Sequence, residues 1–226
     1  MIIVIAAMFL IRWILYSNGT IDDMYTLDED ELLSSLESAE VTIEVVSPDG
    51  SEREIGAGTI LDGRKNSTDE ENYTLTIASS MDLTGIDSEA VEIEVTLPDG
   101  TITKGELFAY GEEEGYVLLQ CECVDELEVY YSEDLLYRLE EDDPAYILVE
   151  GEVVPYEITD KDAVTSMGDE LIFSSLEEEV NQQALKGCGL YGKSGNYLGL
   201  IIQVDEGGDV YAVPGNVIMK GLNAAL

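Results

Sequence analysis

The residues of this chain that could do chemistry are few, and one type is absent. Among 226 residues there is no histidine, so no imidazole is available as general base, proton shuttle or metal ligand. What remains is a Gly192-Lys193-Ser194-Gly195 segment, three cysteines at Cys121, Cys123 and Cys188, and carboxylate runs at Glu112-Glu113-Glu114, Glu140-Glu141-Asp142-Asp143 and Glu177-Glu178-Glu179. A serine between glycines with a lysine beside it has the parts of a Ser-Lys nucleophile, provided burial strips the lysine of its proton. The cysteines are too few and wrongly spaced for a closed zinc site, and their odd number argues against a disulfide framework. They are expected to be small buried hydrophobes. The acid runs lack the Asp-x-Asp-x-Asp-Gly order of a calcium loop and are expected as solvated loops, so neither metal nor cofactor is expected.

Charge narrows the partners. Forty-nine acidic residues against ten basic ones give a formal net charge of -39, which repels phosphate backbones and argues against nucleic acid. A protein or peptide partner is expected, and a basic one would supply the counter-charge. With 45% hydrophobic residues the chain is no disordered acidic tail, and its length suffices for one large all-β domain or two lobes.

The elements that must position these residues read mostly as strands. Val41 to Val46 and Val91 to Leu97 alternate apolar and polar residues, and Pro98-Asp99-Gly100 makes a hairpin turn. Further strands are expected over Ile55 to Leu61, Tyr73 to Ala78, Thr101 to Tyr110 and Tyr116 to Cys123. After an acid-rich crossover, 125–143, they resume over Ala145 to Glu150, Val153 to Ile158, Leu171 to Ser174, either side of Gly192-Lys193-Ser194-Gly195, and Val210 to Val213. A short helix is expected over Leu27 to Leu36 and another from Pro214 to Leu222. The expected class is all-β, a barrel or sandwich with a short C-terminal helix, and two halves of six strands each would fit a pair of six-stranded antiparallel barrels. Lobe 1 spans 40–124, lobe 2 spans 144–226, and an acidic linker with a short helix, 17–39, precedes them. Residues 2–16 are apolar except Arg12. Fifteen residues make only ~22 Å of helix against a ~30 Å hydrocarbon core. No small-residue cleavage site follows, so 1–16 is expected to be a signal-anchor or transmembrane helix, ahead of a cleaved signal peptide. Asn18, Asn66 and Asn72 head glycosylation sequons that matter only in a secretory eukaryotic host.

The order of segments resembles the trypsin-like serine protease family, and most of all its HtrA-type branch. Gly56-Ala57-Gly58-Thr59-Ile60-Leu61 resembles the family's G-S-G-x-I-I strand. Leu75-Thr76-Ile77-Ala78-Ser79-Ser80 resembles L-T-A-A-H-C. Gly115-Tyr116-Val117-Leu118-Leu119 stands where D-L-A-V-L belongs, and Gly187-Cys188-Gly189-Leu190-Tyr191 with Leu198-Gly199-Leu200 and Tyr211-Ala212-Val213-Pro214 follows G-G-P-L-V, I-G-I and F-A-I-P. The resemblance covers about residues 40 to 224 and implies a double barrel with a Ser-His-Asp triad.

Carried over residue by residue, the triad is degenerate. The histidine position falls on Ser79, the aspartate position on Gly115 with Glu114 one residue displaced, and the nucleophile position on Lys186, with Ala184 replacing a glycine two residues earlier. Ser194 is no substitute by spacing. Gly199 lies thirteen residues after Lys186, as the family has it from its serine, but only five after Ser194. The expected function is therefore an inactive trypsin-like module, membrane-anchored and extracytoplasmic or else secreted, that binds protein or peptide. The alternatives are a hydrolase with a displaced Ser194 or Lys186 centre, with Lys193 the other candidate base, and an acidic surface protein with a filled cleft.

Overall fold

The computed structural model describes residues 26–47, 53–66, 72–83, 91–164, 170–175 and 182–226. The apolar segment 1–16, Asn18 and Glu177-Glu178-Glu179 lie outside them. Among the described residues no helix is long and apolar enough to cross a membrane.

Among the described residues, the alternating segments form twelve strands in two closed antiparallel barrels. The first contains β1 (Glu40–Val46), β2 (Arg53–Lys65), β3 (Tyr73–Ser79), β4 (Glu92–Thr96), β5 (Ile102–Gly111) and β6 (Tyr116–Cys123). The second contains β7 (Pro144–Val149), β8 (Glu152–Val164), β9 (Glu170–Ser175), β10 (Gly189–Gly192), β11 (Tyr197–Val204) and β12 (Val210–Pro214). Closure comes from β1 pairing with β4 and from β7 pairing with β10. The period of two decides which side chains fill each barrel. Val41, Ile43 and Val45 point inward with Leu75, Ile77, Ile93 and Val95 in the first. Ala145, Ile147, Ile158, Leu190 and Ala212 do so in the second.

A third apolar cluster belongs to neither barrel alone. Leu61, Ala78, Tyr116 and Leu118 of the first barrel meet Tyr191, Tyr197, Leu200 and Val213 of the second. Two helices complete it: α1 (Glu29–Glu37) through Leu32 and Leu36, and the C-terminal α4 (Gly215–Ala225) through Ile218 and Leu222. The 27–39 segment is thus part of the packed domain rather than a spacer. Its helix is started by a capping box in which Asp28 Oδ1 accepts from the Glu31 N–H (2.9 Å), and Leu27 N–H donates to Lys193 O (3.0 Å) on the second barrel. Two short helices, absent from the strand reading, also form. α2 (Glu133–Tyr137) lies in the crossover, and α3 (Gln182–Leu185) immediately precedes Lys186.

Ion pairs such as Arg53–Glu44, Arg64–Asp62 and Lys104–Glu106 sit at the surface and are worth little singly. With a net charge of -39, self-repulsion among surface carboxylates works against the compact state. The thermal midpoint is therefore expected to rise as KCl is raised from about 0.1 M to about 1 M, where the Debye length falls to ~3 Å. Each kcal/mol regained corresponds to about 2–4 °C for a chain of this size. Calorimetry showing a flat or falling midpoint over that range would contradict this.

Candidate functional site

Of the residues at the family's triad positions, Ser79 lies where the two barrels touch, against Gly187, the neighbour of Lys186. Ser79 ends β3 and is fully buried. Its Oγ donates to Ala57 O (2.7 Å) and accepts from the Met81 N–H (3.3 Å). The hydroxyl is engaged on both sides, its proton on a carbonyl and a lone pair on an N–H, and serine is no base near neutrality. Ala57 O in turn faces Gly187, the residue after Lys186. Gly187 has φ +87°, and a Cβ there would stand 2.3 Å from Ala57 O and 3.4 Å from Ser79 Oγ. Only glycine allows the second barrel's backbone to come this close.

Lys186 itself is solvent-exposed on the turn after α3. Ala184 lies inside that helical turn, and the next N–H groups are used internally: Gly187 N–H donates to Ile201 O (2.8 Å) and Cys188 N–H to Leu185 O (3.1 Å). Gly115 has φ +78° and closes the turn before β6, two residues ahead of Val117, the register partner of Ser79. Glu114 occupies the same turn and is not on a strand.

Ser194 is elsewhere. It sits in the β10–β11 hairpin, where Gly195 N–H donates to Gly192 O (2.9 Å) and Gly192 N–H to Asn196 O (2.8 Å). It borders a cavity of about 280 Å³ beside Arg138, Glu140, Asp143 and Lys193. The three thiols are free: Cys121 and Cys188 are buried, whereas Cys123 is only half-buried. Burial pushes the Cys121 thiol up to about 12.

The site contains a group that the sequence did not single out. Glu40 opens β1, and its carboxylate is held between the barrels. Oε1 accepts from Thr59 Oγ1 (2.9 Å) on β2, from the Gly189 N–H (3.0 Å) and from Tyr191 Oη (2.5 Å), both on β10. Oε2 is equally enclosed and has no hydrogen-bond partner among the described residues. Gly189 is what lets the ring in, since a Cβ there would lie 2.5 Å from Tyr191 Oη. Burial raises the Glu40 pKa from 4.5 to about 7, and the three donors oppose that rise without cancelling it. The same burial, with the negative charge of Glu40 beside them, lifts Tyr191, Tyr197 and Cys188 well above their ordinary values.

Beside Glu40 a groove of about 490 Å³ runs between the barrels, walled by Ile55, Ala57 and Leu97 on one side and Leu148, Glu150 and Ala184 on the other.

This double barrel has solved counterparts. A structure described as "HtrA-type protease AlgWS227A with tripeptide" superposes with a TM-score of 0.68 over 88% of this chain, at 15% sequence identity. The fold is trypsin-like. This chain spans 63% of the length of that protease chain, and the likeness extends to the fold alone. No family model matches the sequence, and no curated protein matches it either.

Because the folded-state pKa of Glu40 lies above its unfolded value, its stabilising contribution is fully present below pH 4.5 and is lost as pH rises through about 7. Glu40→Gln keeps an acceptor for the three donors and removes the proton linkage. Chemical denaturation between pH 5 and 8 should show wild type losing on the order of 2–3 kcal/mol more than Glu40→Gln. Parallel pH profiles for the two would refute the assignment. Gly187→Ala should cost at least ~2 kcal/mol, since it adds both a positive-φ strain and a clash with Ala57 O. A midpoint within experimental error of wild type would contradict the close inter-barrel approach.

Proposed function

We propose that this chain is a non-catalytic trypsin-fold module that binds peptide segments in the groove between its barrels. The observation that carries this reading is the buried Ser79 at the position of the family's base, its hydroxyl committed to Ala57 O (2.7 Å). With no histidine in the chain, an exposed lysine at the nucleophile position and a helical turn at Ala184, acyl transfer has neither base, nucleophile nor oxyanion donors. Nothing in the barrels' stability depends on a triad, because their cores are inward strand residues.

Peptide binding is supported by the groove and by the strand beside it. Among the described residues, β2 pairs along Arg53–Gly58 with β1 alone, and β3 joins it from Thr59 onward. A strand side without a partner strand is where an extended peptide can add. Ile55, 68% exposed, offers an apolar contact there. The apolar segment 2–16 supports placing the module at an extracytoplasmic membrane face, with the acidic domain outside.

A fluorophosphonate probe is expected to leave the chain unlabelled. Labelling that disappears in Ser194→Ala would overturn the non-catalytic reading. Photo-crosslinking from residue 55 or 148 should capture extended peptides, whereas crosslinks confined to the outer barrel surfaces would remove the groove from the account.

A further inference from the structure

The groove joins apolar walls to acid, and its acid is incompletely satisfied. Ile55, Ala57, Leu97 and Leu148 supply the walls, Glu150 stands at the β7–β8 turn, and no lysine or arginine is among the lining residues. Glu40 also contributes to the lining. As a residue it is half-buried, while its Oε2 is fully enclosed with no donor among the described residues. Its other oxygen already takes three hydrogen bonds. A buried carboxylate oxygen without a donor is costly, and a cationic donor is the group that relieves that cost best.

We infer that the groove takes an extended segment with a lysine or arginine flanked by apolar residues, the cation donating to Glu40 Oε2 while the flanking side chains rest on Ile55 and Leu148. This rests on the groove reading above and gives it a partner chemistry. Ala57 O is already capped by Ser79, so strand addition would run from Ile55 toward the β1–β2 hairpin. Reaching Oε2 requires the groove floor to part slightly, which makes binding an induced adjustment.

The groups facing Glu40 are Tyr191 from β10, Tyr197 from β11, Cys188 before β10 and the Thr59 hydroxyl from β2. The phenols and the thiol are raised well above neutrality and stay uncharged through pH 6 to 8. Glu40 is therefore the group in that pH range whose proton a bound cation would expel.

The test uses the full chain and two capped pentapeptides of alternating valine and leucine, one with lysine and one with norleucine at its centre. Titration calorimetry in about 0.5 M KCl suppresses diffuse attraction to the acidic surface. The lysine peptide should bind about tenfold tighter at pH 8, lose that advantage in Glu40→Gln, and release protons on binding near pH 7 when buffers of different ionisation enthalpy are compared. Proton release needs no variant, so it decides the matter even if Glu40→Gln does not fold. Equal affinities with crosslinks in the groove would overturn the cation assignment and leave groove binding intact. Absence of groove crosslinks with either peptide would overturn both. A lysine advantage unchanged in folded Glu40→Gln would show attraction to the net charge and overturn the assignment.

Discussion

The Glu40 carboxylate is the interaction on which the rest of this molecule depends. It sits where two closed barrels meet, and three donors from both barrels converge on one of its oxygens. Each barrel has its own core, so neither needs the other to satisfy its backbone. What fixes their relation is the third apolar cluster, with Glu40 as its polar centre and the Gly187–Ala57 approach at its edge. In a protein carrying a charge of -39, an acid buried at the interface is tolerated because its environment favours the proton over the charge.

The same geometry is what the proposed non-catalytic role rests on. In the trypsin fold, the strand ends near the barrel contact are positioned by packing, and the chemistry is added by a few side chains at those ends. Here those ends hold Ser79, whose hydroxyl closes a backbone carbonyl, and Gly187, whose missing side chain admits the neighbouring barrel. Both choices favour close packing of the two barrels. The remaining opening lies beside it, between Ile55 and Leu148, and is apolar with an acidic floor.

Much of the architecture was legible in the sequence, because strand alternation at Val41–Val46 and Val91–Leu97 has a short period that local composition reveals. The helices over Leu27 to Leu36 and Pro214 to Leu222 were legible too, although the burial of Leu32 and Leu36 against both barrels was not. The short α2 and α3 were missed, α3 having only four residues and no distinguishing pattern. The resemblance assigns triad positions to Ser79, Gly115 and Lys186, and Ser194 lies in the β10–β11 hairpin away from them. Glu40 could not be found this way. It shares the outward face of β1 with Thr42 and Glu44, the face that alternation assigns to solvent. Only the second barrel, brought against that face by contacts some 150 residues away in sequence, turns an ordinary surface acid into a buried one.

The most direct test of this arrangement is the protonation of that one carboxyl group in the folded chain. With glutamate side-chain carboxyls ¹³C-labelled and the resonance assigned through Glu40→Gln, an NMR titration should show Glu40 changing charge near pH 7, well above the other glutamates. A midpoint at the ordinary value of 4.5 would mean that the carboxylate is open to water, and that the barrels are not joined through it.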